Sequence, residues 1–140
     1  MDLLLAVATI YAGLYVGQPL YCGGVYDLSE MEPWVAQPVS AYESGEAQCG
    51  DLVYLAGVDA AGTPWSLMAR ARDAGPLDRY CVELPEGCAP IMADIPAHLA
   101  PFPGLSARVE RMVNVSAMAR AYKLNHSDYD PNHNWEPRPH

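Results

Sequence analysis

The residue best placed to do chemistry is Asp73, near the end of Trp65-Ser66-Leu67-Met68-Ala69-Arg70-Ala71-Arg72-Asp73-Ala74-Gly75-Pro76. Side chains alternate along a strand, so Trp65, Leu67, Ala69 and Ala71 share one face while Ser66, Arg70 and Arg72 take the other. Asp73 continues the apolar row, and Gly75-Pro76 must end the strand just beyond it. A carboxyl closing an inward row costs burial free energy unless it is paired or used, and one that is used is an acid–base group. The competing role is a turn cap, in which the carboxylate accepts backbone N–H groups ahead of Gly-Pro.

Other chemistry has less support. His126, Asp128, Asp130 and His133 have metal-ligand side chains, but a polar tail lacks the surrounding shell that orients ligands, so the expectation is no metal. Glu43, Glu46 and Asp51 read as a solvated acidic face. His98 lies far from any Ser or Cys nucleophile, and there is no G-x-S-x-G and no phosphate-cradling Gly loop. No cofactor is expected. The four Cys (Cys22, Cys49, Cys81, Cys88) allow three pairings if oxidised, and Cys81 and Cys88 bracket a loop that a disulfide could staple. All four serve equally well as buried thiols in a reducing compartment.

The elements that must position Asp73 are short. Thirteen Pro and 11 Gly against one Phe favour strands and turns over a helical bundle, in a chain of 140 residues sized for one core. No Lys or Arg precedes Arg70, whereas Asp2, Asp27, Glu30, Glu32, Glu43, Glu46, Asp51 and Asp59 do; such a half repels a phosphate backbone and excludes nucleic acid as a partner. Leu3 to Val16 is apolar, but Asp2 stands where a signal peptide has basic residues and the run is short for a membrane span, so it is read as structure.

In order, the pattern predicts a strand over Ala6–Val16, a tight loop at Tyr21-Cys22-Gly23-Gly24, and a short helix capped by Asp27 or Ser29 and running to Trp34. Strands follow at Val39–Tyr42 and Leu52–Ala56, with a hairpin turn at Asp59-Ala60-Ala61-Gly62 into the Trp65 strand. Ile91–Ile95 is a strand, Ala97–Ala100 a Pro-opened helix, and Leu105–Val115 the last long strand. Residues 1–124 form one domain, and 125–140 form an extended polar arm. Tyr129, Trp135 and the prolines Pro131, Pro137 and Pro139 suit that arm to docking on a neighbouring chain in a homo- or hetero-oligomer.

The order of these pieces resembles the double-psi β-barrels of the RlpA-like, barwin and expansin group. Ala8-Thr9-Ile10-Tyr11 with Gly13 is similar to that family's opening strand, Val25-Tyr26-Asp27 to its Tyr-Asp loop, and Ala69 to Pro76 to its strand ending in Asp-Arg-Gly-Pro. Ile91-Met92-Ala93-Asp94-Ile95-Pro96, the Ala97–Ala100 helix and Ala107-Arg108-Val109-Glu110 are similar to its Ile-Asp-Leu-Ser, helix and closing strand. The likeness spans roughly residues 6 to 115, and Cys22-Gly23 with Cys49-Gly50 resembles the disulfide-bearing barwin and expansin branch.

The resemblance implies a mainly β, six-stranded double-psi barrel with short helices. It implies a lytic transglycosylase-like activity on peptidoglycan, with Asp73 as general acid then base and Asp27 as second catalytic acid. Tyr26, Trp34 and Trp65 would then supply sugar-stacking faces. The turn has Ala74 where the family has Arg, and Gly24 and the Glu-Pro-Trp-Val stretch stand where the family has further polar groups. That departure is tied to an alternative: a non-catalytic glycan-binding or virion structural module on the same barrel. Either reading places the protein outside the cytoplasm or in a virion.

Overall fold

The computed structural model describes residues 5–11 and 13–125. The structure is mainly β. Seven strands form one sheet: β1 (Val7–Tyr11), β2 (Trp34–Pro38), β3 (Leu52–Val58), β4 (Pro64–Gly75), β5 (Cys81–Leu84), β6 (Gly87–Pro96) and β7 (Ser106–Asn114). Their order is β1-β7-β3-β4-β2-β6-β5, and β1 also pairs with β6, so six strands close into a ring and β5 is a hairpin strand outside it. Two pairings in the ring, β1 with β6 and β2 with β4, are parallel. Two helices, α1 (Val39–Glu43) and α2 (Val115–Asn125), complete the elements, with single 3-10 turns at Gly13–Tyr15, Leu77–Arg79 and Ala97–Leu99.

The ring encloses a core of small and branched side chains. Ala8, Val35, Val53, Leu55, Leu67, Ala69, Ala93, Ile95, Ala107 and Val109 meet inside it, and Trp65 stacks on Phe102 near one rim, 4.9 Å between ring centroids. A second cluster lies outside the ring, where Leu20, Tyr26 and Trp34 pack with Tyr11 and Leu99. The loop from Val16 to Pro33 is thereby held on the outer surface of β1 and β2, its Tyr26 carbonyl accepting from Gly17 N–H and its Cys22 N–H donating to the Arg72 carbonyl. Two disulfides fasten this arrangement: Cys22–Cys49 ties the loop to the segment before β3, and Cys81–Cys88 staples the β5–β6 hairpin.

The strongest local expectations hold. The Asp59 turn joins β3 and β4, with its carboxylate accepting from Ala61 N–H and Thr63 N–H. Five elements differ, one of them the loop bracketed by Cys81 and Cys88, which is the β5–β6 hairpin. The first strand stops at Tyr11, and Gly13–Tyr15 turns instead of extending. Asp27 does not cap a helix; its carboxylate closes a turn on Ser29, and Trp34 opens β2. Val39–Glu43 is helical although Val39 favours a strand, because Pro38 presets the entry and Ser44-Gly45 closes the turn. After β7 the chain forms α2, which carries Val115, Met118 and Tyr122 at helical spacing.

None of the residues of α2 is buried, and polar contacts tie it to the ring: the Leu52 N–H donates to the Ser116 hydroxyl at 2.9 Å, and Asp51 holds Arg120. Asp51, 4% exposed, accepts from Arg120 at 2.5 and 2.9 Å, from the Asn114 amide at 2.9 Å and from Gln48 N–H at 2.9 Å. Burial alone raises an acid's proton affinity, but these donors together outweigh it and hold Asp51 below the usual carboxylate range. Asp51 is thus a structural anchor and not part of a solvated face. Among the described residues no helix is long and apolar enough to cross a membrane. Of the arm expected over 125–140, Asn125 instead ends α2, and 126–140, with His126, Asp128, Asp130 and His133, lie outside the described residues.

Candidate functional site

Strand alternation directs Asp73 inward, and a β-bulge redirects it. Val35 pairs with Ala71 and Ala36 with Asp73, so Arg72 is an extra residue on β4. Val35 belongs to the inner core, so its neighbour Ala36 faces the outside, and Asp73 shares that side by pairing with it. Ala36 is also the partner of Asp94 on β6. Asp73 and Asp94 therefore flank one small residue from the two strands next to β2, both on the outer surface of the ring. Asp94 was not singled out as an acid in the sequence. Its signal was the one that marked Asp73: a carboxyl between Ala93 and Ile95 in a strand whose neighbours are buried.

The two acids differ in environment. Asp73 is 5% exposed and both its oxygens are engaged: Oδ2 accepts from the Tyr11 hydroxyl at 2.5 Å and Oδ1 from Tyr21 N–H at 2.8 Å. The Tyr42 hydroxyl donates to the Asp73 backbone carbonyl at 2.9 Å. Asp94 is less covered, and its Oδ1 accepts from the Thr9 hydroxyl at 2.9 Å, across the β1–β6 pairing that sets Thr9 beside it. Burial raises the proton affinity of Asp94; the Thr9 bond opposes this, and the charge of Asp73 raises it further. Tyr11 stays protonated far beyond its ordinary range, first through burial and then through its bond to Asp73. Burial and then the Asp73 charge do the same to Tyr42.

The arrangement is a carboxylate fixed by two donors, sharing a strand partner with a second carboxyl whose proton affinity burial raises. That is a donor and a charged neighbour in one electrostatic field, the pairing that acid–base chemistry uses. Open aromatic faces border it. Tyr15, 46% exposed, stands edge-on to Tyr11 at 5.5 Å, and Tyr21, 55% exposed, lies 5.0 Å from Tyr42.

The other sequence candidates lie elsewhere. Asp27 is on the exposed loop, where its Oδ1 accepts from the N–H and the hydroxyl of Ser29, both at 2.8 Å; the first of these bonds, then the second, keeps its proton affinity low. No hydrogen bond links it to Asp73; the carboxyl that shares a strand partner with Asp73 is Asp94. Tyr26 and Trp34 are each 1% exposed and Trp65 is 7% exposed, so their faces pack against protein. Tyr26 and Trp34 shape the site from beneath, edge-on to Tyr11 at 5.2 and 5.6 Å, whereas Trp65 belongs to the far rim of the core. His98 joins this wall, with Nε2 at 2.8 Å from the Glu30 carbonyl and its ring beside Tyr26. Tyr11, Tyr21 and Thr9 were missed because a Tyr or Thr in a strand carries no local mark of what it will face. No protein-family model matches the chain, and no curated protein matches its sequence.

Proposed function

We propose that the chain is a glycan-active domain on a double-psi β-barrel, cleaving peptidoglycan by lytic transglycosylation with Asp73 and Asp94 as its acid–base pair. The observation that carries this reading is the shared flank of Ala36, which sets a half-buried carboxyl beside a carboxylate fixed by two donors, with open tyrosine faces at the border. Asp94 protonates the glycosidic oxygen as the bond from the anomeric carbon breaks. Asp73, oriented by its bonds from Tyr11 and Tyr21, stabilises the positive charge that develops on the sugar. The sugar's own hydroxyl then attacks the anomeric carbon, closing an anhydro ring and returning its proton to Asp94. No water is consumed, so one carboxyl serves as acid and then base.

The closed ring with two parallel pairings supports the barrel, and the Cys22–Cys49 bridge supports the likeness to the barwin and expansin branch. Two disulfides support a place outside the reducing cytoplasm, in a cell wall or a virion. The second reading, a module that binds glycan without cleaving it, is favoured by the burial of Asp73 at 5% exposure under Tyr11 and Tyr21. Its virion-structural form depends on an arm outside the described residues. Incubation with peptidoglycan stripped of stem peptides separates the two. Anhydro-sugar ends seen by mass spectrometry, and lost in both Asp94→Asn and Asp73→Asn, support cleavage. Retention on the glycan with no such ends from the wild-type protein supports the binding module. Full activity in Asp94→Asn refutes the assigned roles.

A further inference from the structure

A second site lies at the mouth of the ring, where β2 ends, β6 begins and β7 runs into α2. It is a cavity of about 650 Å³, within the size range of small-ligand sites. Its floor is apolar, built from Ala6, Ile91, Met92 and Met112, and its rim carries Glu46 and Asp78 with no Lys, Arg or His among the lining residues. Gln37 follows Ala36 in β2, so its side chain leaves the face opposite Asp73 and Asp94 and enters this cavity. Gln37 is 3% exposed, and its Oε1 is a buried acceptor with no partner among the described residues. A buried amide oxygen without a donor is costly, and a site that leaves one open is built to receive a donor.

From these groups we infer that the mouth binds an alkylammonium: a primary amine on an aliphatic stem of about four to six carbons, as a lysine side chain or a free amine carries it. The stem lies on the flexible thioethers of Met92 and Met112, which adapt to an unbranched chain. The ammonium has three donors and no acceptor, which suits it to the Gln37 oxygen and the rim carboxylates together. Asp78 already accepts from the Ser40 hydroxyl, which fixes its carboxylate at the rim. An anion is excluded by the two acids, and the net charge of −9 draws cations toward the protein as a whole.

The test is an NMR titration of the intact, disulfide-bonded chain with hexylammonium, hexanol and hexanoate, reading the Met92 and Met112 methyl signals. Hexylammonium should shift both saturably, and hexanoate should shift neither. The paired substitution Glu46→Gln with Asp78→Asn, and separately Gln37→Met, should each weaken hexylammonium binding about tenfold or more, the scale of a lost bond to a charged group. Unchanged amide dispersion in each variant establishes that the fold is kept. A lysine peptide capped at both ends binding more tightly than hexylammonium assigns the amine to a peptide, and the reverse order assigns it to a free amine. No shift with hexylammonium, equal binding of hexanoate, or undiminished binding by both variants overturns the inference.

Discussion

Replacing Gly57 by Ala should destabilise the ring at its β3–β7 seam. Gly57 pairs with Val109 where β7 carries Glu110 as an extra residue, and the bulge brings the Arg108 carbonyl over the Gly57 Cα. A Cβ built there stands 1.8 Å from that carbonyl oxygen, against a floor of 3.0 Å for real Cβ contacts. One strand must therefore move by at least 1.2 Å, the difference of those two distances, and the obstacle is backbone that no rotamer change relieves. A shift of that size stretches a 2.9 Å ladder bond beyond about 4 Å, past the range in which it counts. Overpacking of this kind costs about 3 kcal/mol, while the reduced freedom of the unfolded chain returns only about 0.4–1 kcal/mol. The strain wins.

With a urea slope of about 1.5 kcal/mol per molar, a net loss of about 2–2.6 kcal/mol lowers the unfolding midpoint by about 1.3–1.7 M. The assay is equilibrium urea unfolding followed by circular dichroism with both disulfides intact. Gly13→Ala is the control, because nothing lies within 4 Å of its Cβ position and its backbone is not left-handed; its stability should change by less than about 1 kcal/mol, towards greater stability. A Gly57→Ala midpoint within about 0.3 M of the wild type, with its native near-ultraviolet spectrum, would refute the β3–β7 bulge.

Four further outcomes follow from the geometry. Asp94→Asn should raise the melting temperature at neutral pH: a folded-state proton affinity above the unfolded value gives stability that is full below about pH 3.9 and lost as pH rises, so the gap to wild type should close on acidification. Asp51→Asn should behave oppositely, because a depressed folded value stabilises above about pH 3.9 and is lost as pH falls through it; the variant should be less stable at pH 7, by a margin that shrinks in acid melts. Tyr11→Phe should cost about 1.5–3 kcal/mol in urea unfolding, the worth of a hydrogen bond to a charged group, and Asp73→Asn should lower the pH at which the Tyr11 phenol ionises in a spectroscopic titration. Replacing Cys22 and Cys49 together by Ala should cost about 3.5 kcal/mol from the 27-residue separation they close, against about 2.5 kcal/mol for Cys81 and Cys88 at a separation of 7, measured as paired midpoint shifts.

What the sequence determined by itself is local. Asp59-Ala60-Ala61-Gly62 made a hairpin because an Asp and a positive-φ Gly satisfy that turn without help from the rest of the chain. The length of β4 and its apolar row were readable for the same reason, since side-chain alternation is a property of the strand alone. Asp73 was recognisable as misplaced because a carboxyl in an apolar row is an energetic conflict wherever the strand sits.

Tertiary structure decided the rest. Whether Asp73 faced in or out depended on one extra residue opposite β2, and a bulge is set by pairing partners that sequence alternation does not contain. The acid that shares Ala36 with Asp73 is Asp94, 21 positions away, because β2 lies between β4 and β6. Asp51 read as one of several surface acids until Arg120, 69 positions distant, was seen to close over it. Val39–Glu43 became a helix against its propensity, held between Pro38 at the end of β2 and the Ser44-Gly45 turn. Propensity and alternation act over a few residues, whereas ring closure, burial and charge pairing act between residues the chain keeps far apart.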